Sequence, residues 1–344
     1  MLENEELINN LAQRLTMREP RVEVLNNRII NQYLPIVRAL DISFRKRVEN
    51  KSLLLPELRE DGNESIAIYS DYGGESPDSR YLTYSVLVCG WNHSYSLPEY
   101  MSKIRKKYNL KDKEISFKDL KFGPISRSLS DYLRVLNNSV VGLLVNVVID
   151  KKVDSFYGRN IPSYILEDLE DREMNAWKPK ITGKVIRIVH IVSYIIALLS
   201  KDSHKLYWVT DHDAIAESKD KHEKLVSFLQ SALTLYTDNR FPVIGYSTPF
   251  NDRDINQLDF LSCADIAAGA LEQYFTRRKK LNSVTVKPGT NKILKWLSSD
   301  GICLKKHTIL IEENDDGVIT IGEVKFSNDE VGSKSHKVAV RVSY

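Results

Sequence analysis

Ser65-Ile66-Ala67-Ile68-Tyr69-Ser70-Asp71-Tyr72-Gly73-Gly74-Glu75 is a short apolar run that stops at an acid and then at two glycines. Its length and bounding turn residues read as a buried β-strand rather than a helix. Asp71 stands at the strand end, where a fixed backbone would hold its carboxylate at a sheet edge. The plain alternative is an Asp that opens a Gly-rich turn by accepting local backbone hydrogen bonds. The functional reading gains weight because the same arrangement recurs down the chain. Leu206-Tyr207-Trp208-Val209-Thr210 also ends in an acid, Asp211, with Asp213 two residues on as an alternative.

Outward from the first strand, residues 65 to 275 alternate strand and helix. Tyr81 to Cys89 follows as a strand, and the intervening Tyr72 to Arg80 suits a hairpin connection. Helices are expected over Leu97 to Tyr108 and Pro124 to Leu136, then a long strand over Val140 to Ile149. A long apolar helix (Lys184 to Leu199), the Asp211 strand and a helix over Ser218 to Leu235 come next. Phe241 to Tyr246 reads as a strand and Asn256 to Phe275 as a final long helix. Hairpin first and alternation after predicts an α/β fold, a mixed sheet with helices on its faces.

The flanks differ. Residues 1–60 carry apolar positions at helical spacing, broken at Pro20, and read as an N-terminal helical arm available to a second copy or a partner protein. Residues 283–344 read as an appended α+β subdomain in which Asn314-Asp315-Asp316-Gly317 turns a hairpin. The expected division is therefore 1–60, 61–282 and 283–344.

Composition excludes several classes. With 344 residues, 42% hydrophobic and 28% charged, the chain is that of a soluble globular protein. Val185 to Leu199, its most apolar run, is interrupted by Arg187, His190 and Ser193, so no membrane partner is expected. The polar, acidic start is unlike a secretory signal. Cys89, Cys263 and Cys303 lie far apart in apolar segments and read as reduced core thiols of a cytoplasmic protein. A formal charge of +3 says little about partners.

The acids carry the chemistry. Asp265 lies within Leu261-Ser262-Cys263-Ala264-Asp265-Ile266-Ala267-Ala268-Gly269, on the helix face that also carries Leu258, Leu261 and Ala268. Burying an unpaired carboxylate is costly, so it calls for a cation. A structural salt bridge is the competing reading, and the small residues around it would let the helix approach a sheet closely. Glu114, in Lys113-Glu114-Ile115-Ser116-Phe117-Lys118-Asp119, is the fourth acid, with Asp119 in reserve. An all-carboxylate set suits hard divalent ions, two Mg²⁺ or Mn²⁺, which together activate water for phosphodiester cleavage.

This order of motifs resembles the ribonuclease H-like superfamily. More narrowly, it is similar to a bacterial domain family of unknown function with an Asp-Glu-Ser-Gly first-strand motif. Its members are presumed nucleases found near mobile-element and phage-defence genes. The resemblance spans residues 65–276 and implies Asp71, Glu114, Asp211 and Asp265 as catalytic metal ligands, with Lys118 placed to contact a substrate phosphate. Asp150-Lys151 matches a recurrent pair of that family. The chain departs from the pattern at Tyr72, where the family carries an acid, and Glu75 is the nearest replacement. The Glu114 to Lys118 spacing is also wider than the family's Glu-x-Lys.

Basic clusters suit nucleic acid as the partner. Lys103, Arg105, Lys106 and Lys107 sit among Tyr100 and Tyr108, Lys178 to Lys184 enters a helix, and Arg277 to Lys280 follows the Asp265 helix. Solvated helix ends are the competing reading for each cluster. The function expected is metal-dependent hydrolysis of nucleic acid in antiviral defence. The alternative is an inactive ribonuclease H-like module that binds nucleic acid or a protein. A third, a small-molecule phosphate enzyme using Gly73-Gly74, lacks the spacing of a dinucleotide fingerprint.

Overall fold

A computed structural model describes residues 34–49, 55–60, 62–153, 163–171, 175–248, 254–281, 285–299, 301–326 and 336–338. Most of the expected N-terminal helices and the last expected strand, Val338 to Val342, lie outside these residues.

The core is one eight-stranded sheet. Its strands are β1 (Ser65–Gly73), β2 (Tyr81–Gly90), β3 (Gly142–Asp150), β4 (Lys205–Thr210), β5 (Ile244–Ser247), β6 (Leu304–Glu313), β7 (Ile319–Glu323) and β8 (His336–Val338). They are ordered β5-β4-β1-β2-β3-β6-β7-β8. β1, β2 and β3 form an antiparallel meander, whereas β4 runs parallel to β1 and β5 parallel to β4. The two strands that lead into Asp71 and Asp211 are therefore neighbours, with Ser70 opposite Thr210. β5 starts at Ile244, later than expected, because Pro242 lacks the N–H that pairing requires.

The β1–β2 turn depends on Gly74. Its φ is 91°, and a Cβ there would lie 1.8 Å from the Tyr81 carbonyl oxygen. The two glycines thus close a hairpin, which removes the sequence basis for a phosphate-cradling loop.

Period-2 alternation along β1 sends Ile66 and Ile68 to one core and Ala67 and Tyr69 to the other. The helices are α1 (Pro35–Glu49), α2 (Leu97–Tyr108), α3 (Gly123–Ser139), α4 (Ser163–Asp171), α5 (Pro179–Leu199), α6 (Lys219–Leu233), α7 (Ile255–Leu281) and α8 (Pro288–Leu297). α1, α5 and α6 cover the first face, and α2, α3, α7 and α8 the second. The result is an α/β/α sandwich around a mixed sheet.

Two expectations about the flanks change. The segment expected within a helical arm includes α1, whose Ile36, Val37, Leu40 and Phe44 are fully buried against α5. The tail is no appendage: β6 pairs in parallel with β3 over Gly142 to Ile149, and the hairpin at Asn314–Gly317 carries the sheet on through β7. The hairpin itself is as expected, with Gly317 at φ 74° and Asn314 Oδ1 accepting from the Asp316 and Val318 amides.

α5 is long and apolar enough to cross a membrane, with a hydropathy of 1.7, yet 89% of that window is buried inside the protein. It is the central helix of its face. All three cysteines are free and buried.

Candidate functional site

β1 and β4 deliver Asp71 and Asp211 to one end of the sheet. The Asp211 amide donates to the Ser70 carbonyl at 3.3 Å, extending the parallel ladder by one residue beyond β4. Alternation then decides what each β1 side chain faces. Asp71 shares the α7 face with Tyr69, whereas Tyr72 packs into the α5 face. Tyr72 cannot stand in for an acid beside Asp71, because its position points away from Asp71. Its hydroxyl bonds Ser70 Oγ at 2.6 Å and Thr210 Oγ1 at 3.1 Å, tying β1 to β4 behind the site.

α7 crosses β1 and β2 and brings Asp265 to the same end. The Asp265 carboxylate accepts the Phe117 amide at 2.8 Å. Phe117 opens a single 3₁₀ turn, Phe117–Asp119, and its ring lies on Gly269, one helical turn beyond Asp265. A Cβ at Gly269 would stand 2.3 Å from that ring. The small residues of α7 thus admit a loop as well as the sheet. That loop carries Glu114 and Lys118. Asp119, the reserve acid, is held by Ser116 Oγ at 2.9 Å.

Electrostatics bind the four acids into one group. Burial raises the Asp71 carboxyl well above the ordinary range, and the charges of Asp265 and Asp211 raise it further. Asp265 is pushed up to about 7 by burial, with Glu114 and Asp211 adding to it and the Phe117 amide opposing. Burial also raises Asp211, against the pull of Lys118 and Lys184, and Glu114, against Lys118. Among the described residues, no Lys or Arg forms an ion pair with any of the four. Lys118 is exposed at the rim, and its field reaches three of them.

The alternatives at this site separate cleanly. Asp213 is engaged elsewhere: the buried Lys184 contacts both Asp213 and Glu75, and the Ile215 amide donates to Asp213 at 2.9 Å. Glu75 is turned to the α5 side by the same lysine and does not join Asp71. Sequence reasoning took Lys184 as part of a surface basic cluster; only its burial reveals the bridge.

Oxygen donors, burial and mutual repulsion fit a hard divalent cation. The spacing is open, however: among the described residues no three acidic, histidine or cysteine side chains form a group that could hold a metal ion. In this structure the four acids are neighbours in charge without forming a closed ligand shell.

The basic clusters fare unevenly. Arg105, expected on a substrate track, turns inward instead. It forms a two-pronged pair with Asp259 of α7, and its Nη1 donates to the carbonyls of Lys111 and Lys113 at 2.9 and 2.8 Å. It shapes the loop that leads to Glu114. Lys107 is exposed but pairs with Asp131 at 2.7 Å, and Lys106 is exposed. After α7, Lys279 holds the buried Asp150 at 2.7 Å and Lys280 reaches Asp78 at 3.6 Å. Asp150 is thus engaged as the anchor for the end of α7. No protein-family model and no curated protein matches this chain.

Proposed function

We propose that the protein is a metal-dependent nuclease of the ribonuclease H-like kind. The observation that carries the reading is the gathering of Asp71, Glu114, Asp211 and Asp265 at one sheet end, raised in pKa and without a cation. The order β5-β4-β1-β2-β3, with β2 alone antiparallel to both neighbours, supports it, since that is the order the resemblance implies. So does the separation of Tyr72 from the acid face, which makes the departure at that position harmless to the ligand set.

The four acids would hold two Mg²⁺ or Mn²⁺, which supply water activation and charge stabilisation at phosphorus. The chain's own groups would do the rest. Lys118, free at the rim, would meet a substrate phosphate, and exposed Lys106 would extend the track. Phe117 and Gly269 would fix the distance between the Glu114 loop and Asp265. A role in defence against phage or mobile elements belongs to this same reading.

The open spacing of the acids favours a second reading, an inactive module that grips nucleic acid or a partner protein. Labelled RNA, DNA and hybrid substrates incubated with Mg²⁺, Mn²⁺ or EDTA separate the two. The nuclease reading expects cleavage that EDTA and Asp71→Asn both abolish. Binding without cleavage of any substrate in either metal would leave only the second.

A further inference from the structure

The largest enclosed cavity lies on the opposite face of the sheet from the acids. It occupies about 400 Å³ between the β1–β2–β3 ends and the start of α5. That volume is in the range of small-molecule sites. α5 offers it residues 180, 181, 184 and 187, the face formed by spacings of three and four. Three of those four are cations: Lys180, Lys184 and Arg187. Lys151, at the end of β3, adds a fourth.

Like charges stacked along one helix face repel, and a buried cation needs compensation. Lys184 and Arg187 are 6% and 3% exposed. The wall holds only two carboxylates against the four cations. Glu75 is spent on Lys184, and Asp150 is met by Lys279 from outside the cavity. The cavity therefore carries a positive field. Its remaining walls are apolar and aromatic. Leu82, Ile149 and Val153 form one side, and Tyr72 and Tyr84 present rings that already carry Lys184 at 4.6 Å and Arg187 at 5.6 Å.

A compact anion attached to a flat, largely apolar body satisfies both halves of this surface. The geometry points to a binding pocket for a nucleoside 5′-monophosphate group, its phosphate toward Lys180 and the start of α5 and its base against Leu82, Ile149 and Val153. The group may come from a free mononucleotide or from the 5′ end of a strand, and the chemistry is shared. The inference is independent of the nuclease reading, because Asp71 and Tyr72 face opposite sides of β1 and the two sites share no side chain.

Calorimetric titration of the full chain in EDTA tests it, the chelator removing any metal that could draw phosphate to the acids. The probes are the four nucleoside 5′-monophosphates, a 5′-phosphorylated trinucleotide, inorganic phosphate and adenosine. At least one phosphorylated nucleoside should bind more tightly than both phosphate and adenosine. Lys180→Glu, at an exposed first-turn position, should weaken that binding about tenfold by reversing charge at the mouth, and Lys180→Arg should retain it. Leu82→Trp, which fills the apolar end, should weaken the nucleotide more than inorganic phosphate. A trinucleotide preferred over the mononucleotide assigns the strand end as the ligand; the reverse assigns the free nucleotide. Absence of binding by every probe, or binding that Lys180→Glu and Leu82→Trp leave unchanged, overturns the pocket.

Discussion

The Phe117 amide donates to the Asp265 carboxylate at 2.8 Å, joining residues 148 positions apart. It is the only hydrogen bond to that carboxylate among the described residues. One neutral donor cannot compensate a buried charge crowded by Glu114 and Asp211. Asp265→Asn keeps an acceptor for Phe117 and removes the charge. The metal-free variant should melt at or above the parent temperature, by a gain of about 1 kcal/mol, while Mg²⁺ no longer raises it. A large loss of metal-free stability would instead show Asp265 serving the fold.

The pH dependence follows from the same carboxyl. Its folded value of about 7 lies above the ordinary value of 3.8. The folded state therefore binds the extra proton, and stability from this group is complete at low pH and lost as pH rises through about 7. Buried His190, His204, His222 and His307, all lowered by burial, act in the opposite sense below pH 6.5. The difference between parent and Asp265→Asn cancels them. In EDTA, the variant's advantage should grow between pH 5.5 and 8, read by urea denaturation at several pH values. A constant difference across that window would show the carboxyl to be unperturbed.

Gly269→Ala probes the seat of Phe117. The added methyl would overlap the ring at 2.3 Å and push the 3₁₀ turn off α7. Overpacking of this kind costs about 1–3 kcal/mol. The displaced turn carries Glu114 and Lys118, so Mg²⁺-induced stabilisation should fall too. Gly269→Ala paired with Phe117→Leu should recover part of the thermal loss. No recovery would mean that the ring does not set the contact.

Arg105→Ala should be among the costliest single changes on α2. The Arg105 and Asp259 side chains are 10% and 2% exposed, and burial already pushes Asp259 up to about 6 against the pull of its partner. Removing the guanidinium strands that carboxylate and should cost about 3 kcal/mol or more. Arg105→Ala with Asp259→Asn should cost less than Arg105→Ala alone. By contrast, Lys106→Ala and Lys107→Ala should leave the melting temperature within about 1 °C, as exposed charges do. If α2 lies on a nucleic-acid backbone, the two lysine variants should also flatten the salt dependence of binding by about one log–log unit per lost contact. Unchanged slopes would limit α2 to a structural part.

Local pattern carried much of this architecture. Strand-then-acid at Asp71 and Asp211, the apolar α5 and the small-residue stripe of α7 are all short-range signals, and each produced the element expected of it. What stayed hidden depends on partners distant in sequence. Nothing within residues 304–313 announces that β6 will pair with β3, since a β-rich run suits an appended hairpin as well as an inserted strand. Arg105 and Lys106 are equivalent as letters, and only the helix rotation that aims one at Asp259 distinguishes them. Lys184 reads as one more charge in a basic loop until Glu75 and Asp213 close on it. Register along β1 is the converse case: strict alternation already implied that Asp71 and Tyr72 part company.

The parallel seam between β3 and β6 has a consequence for dissection of the chain. All nine residues of β3 are buried, and its pairing spans more than 150 positions of sequence. A fragment ending after α7 would keep every acid yet expose one whole side of β3 as an unpaired apolar edge. Such edges recruit other chains. Truncation there would yield aggregates rather than a minimal catalytic unit, and limited proteolysis of the intact protein should spare this seam until the whole sheet unfolds.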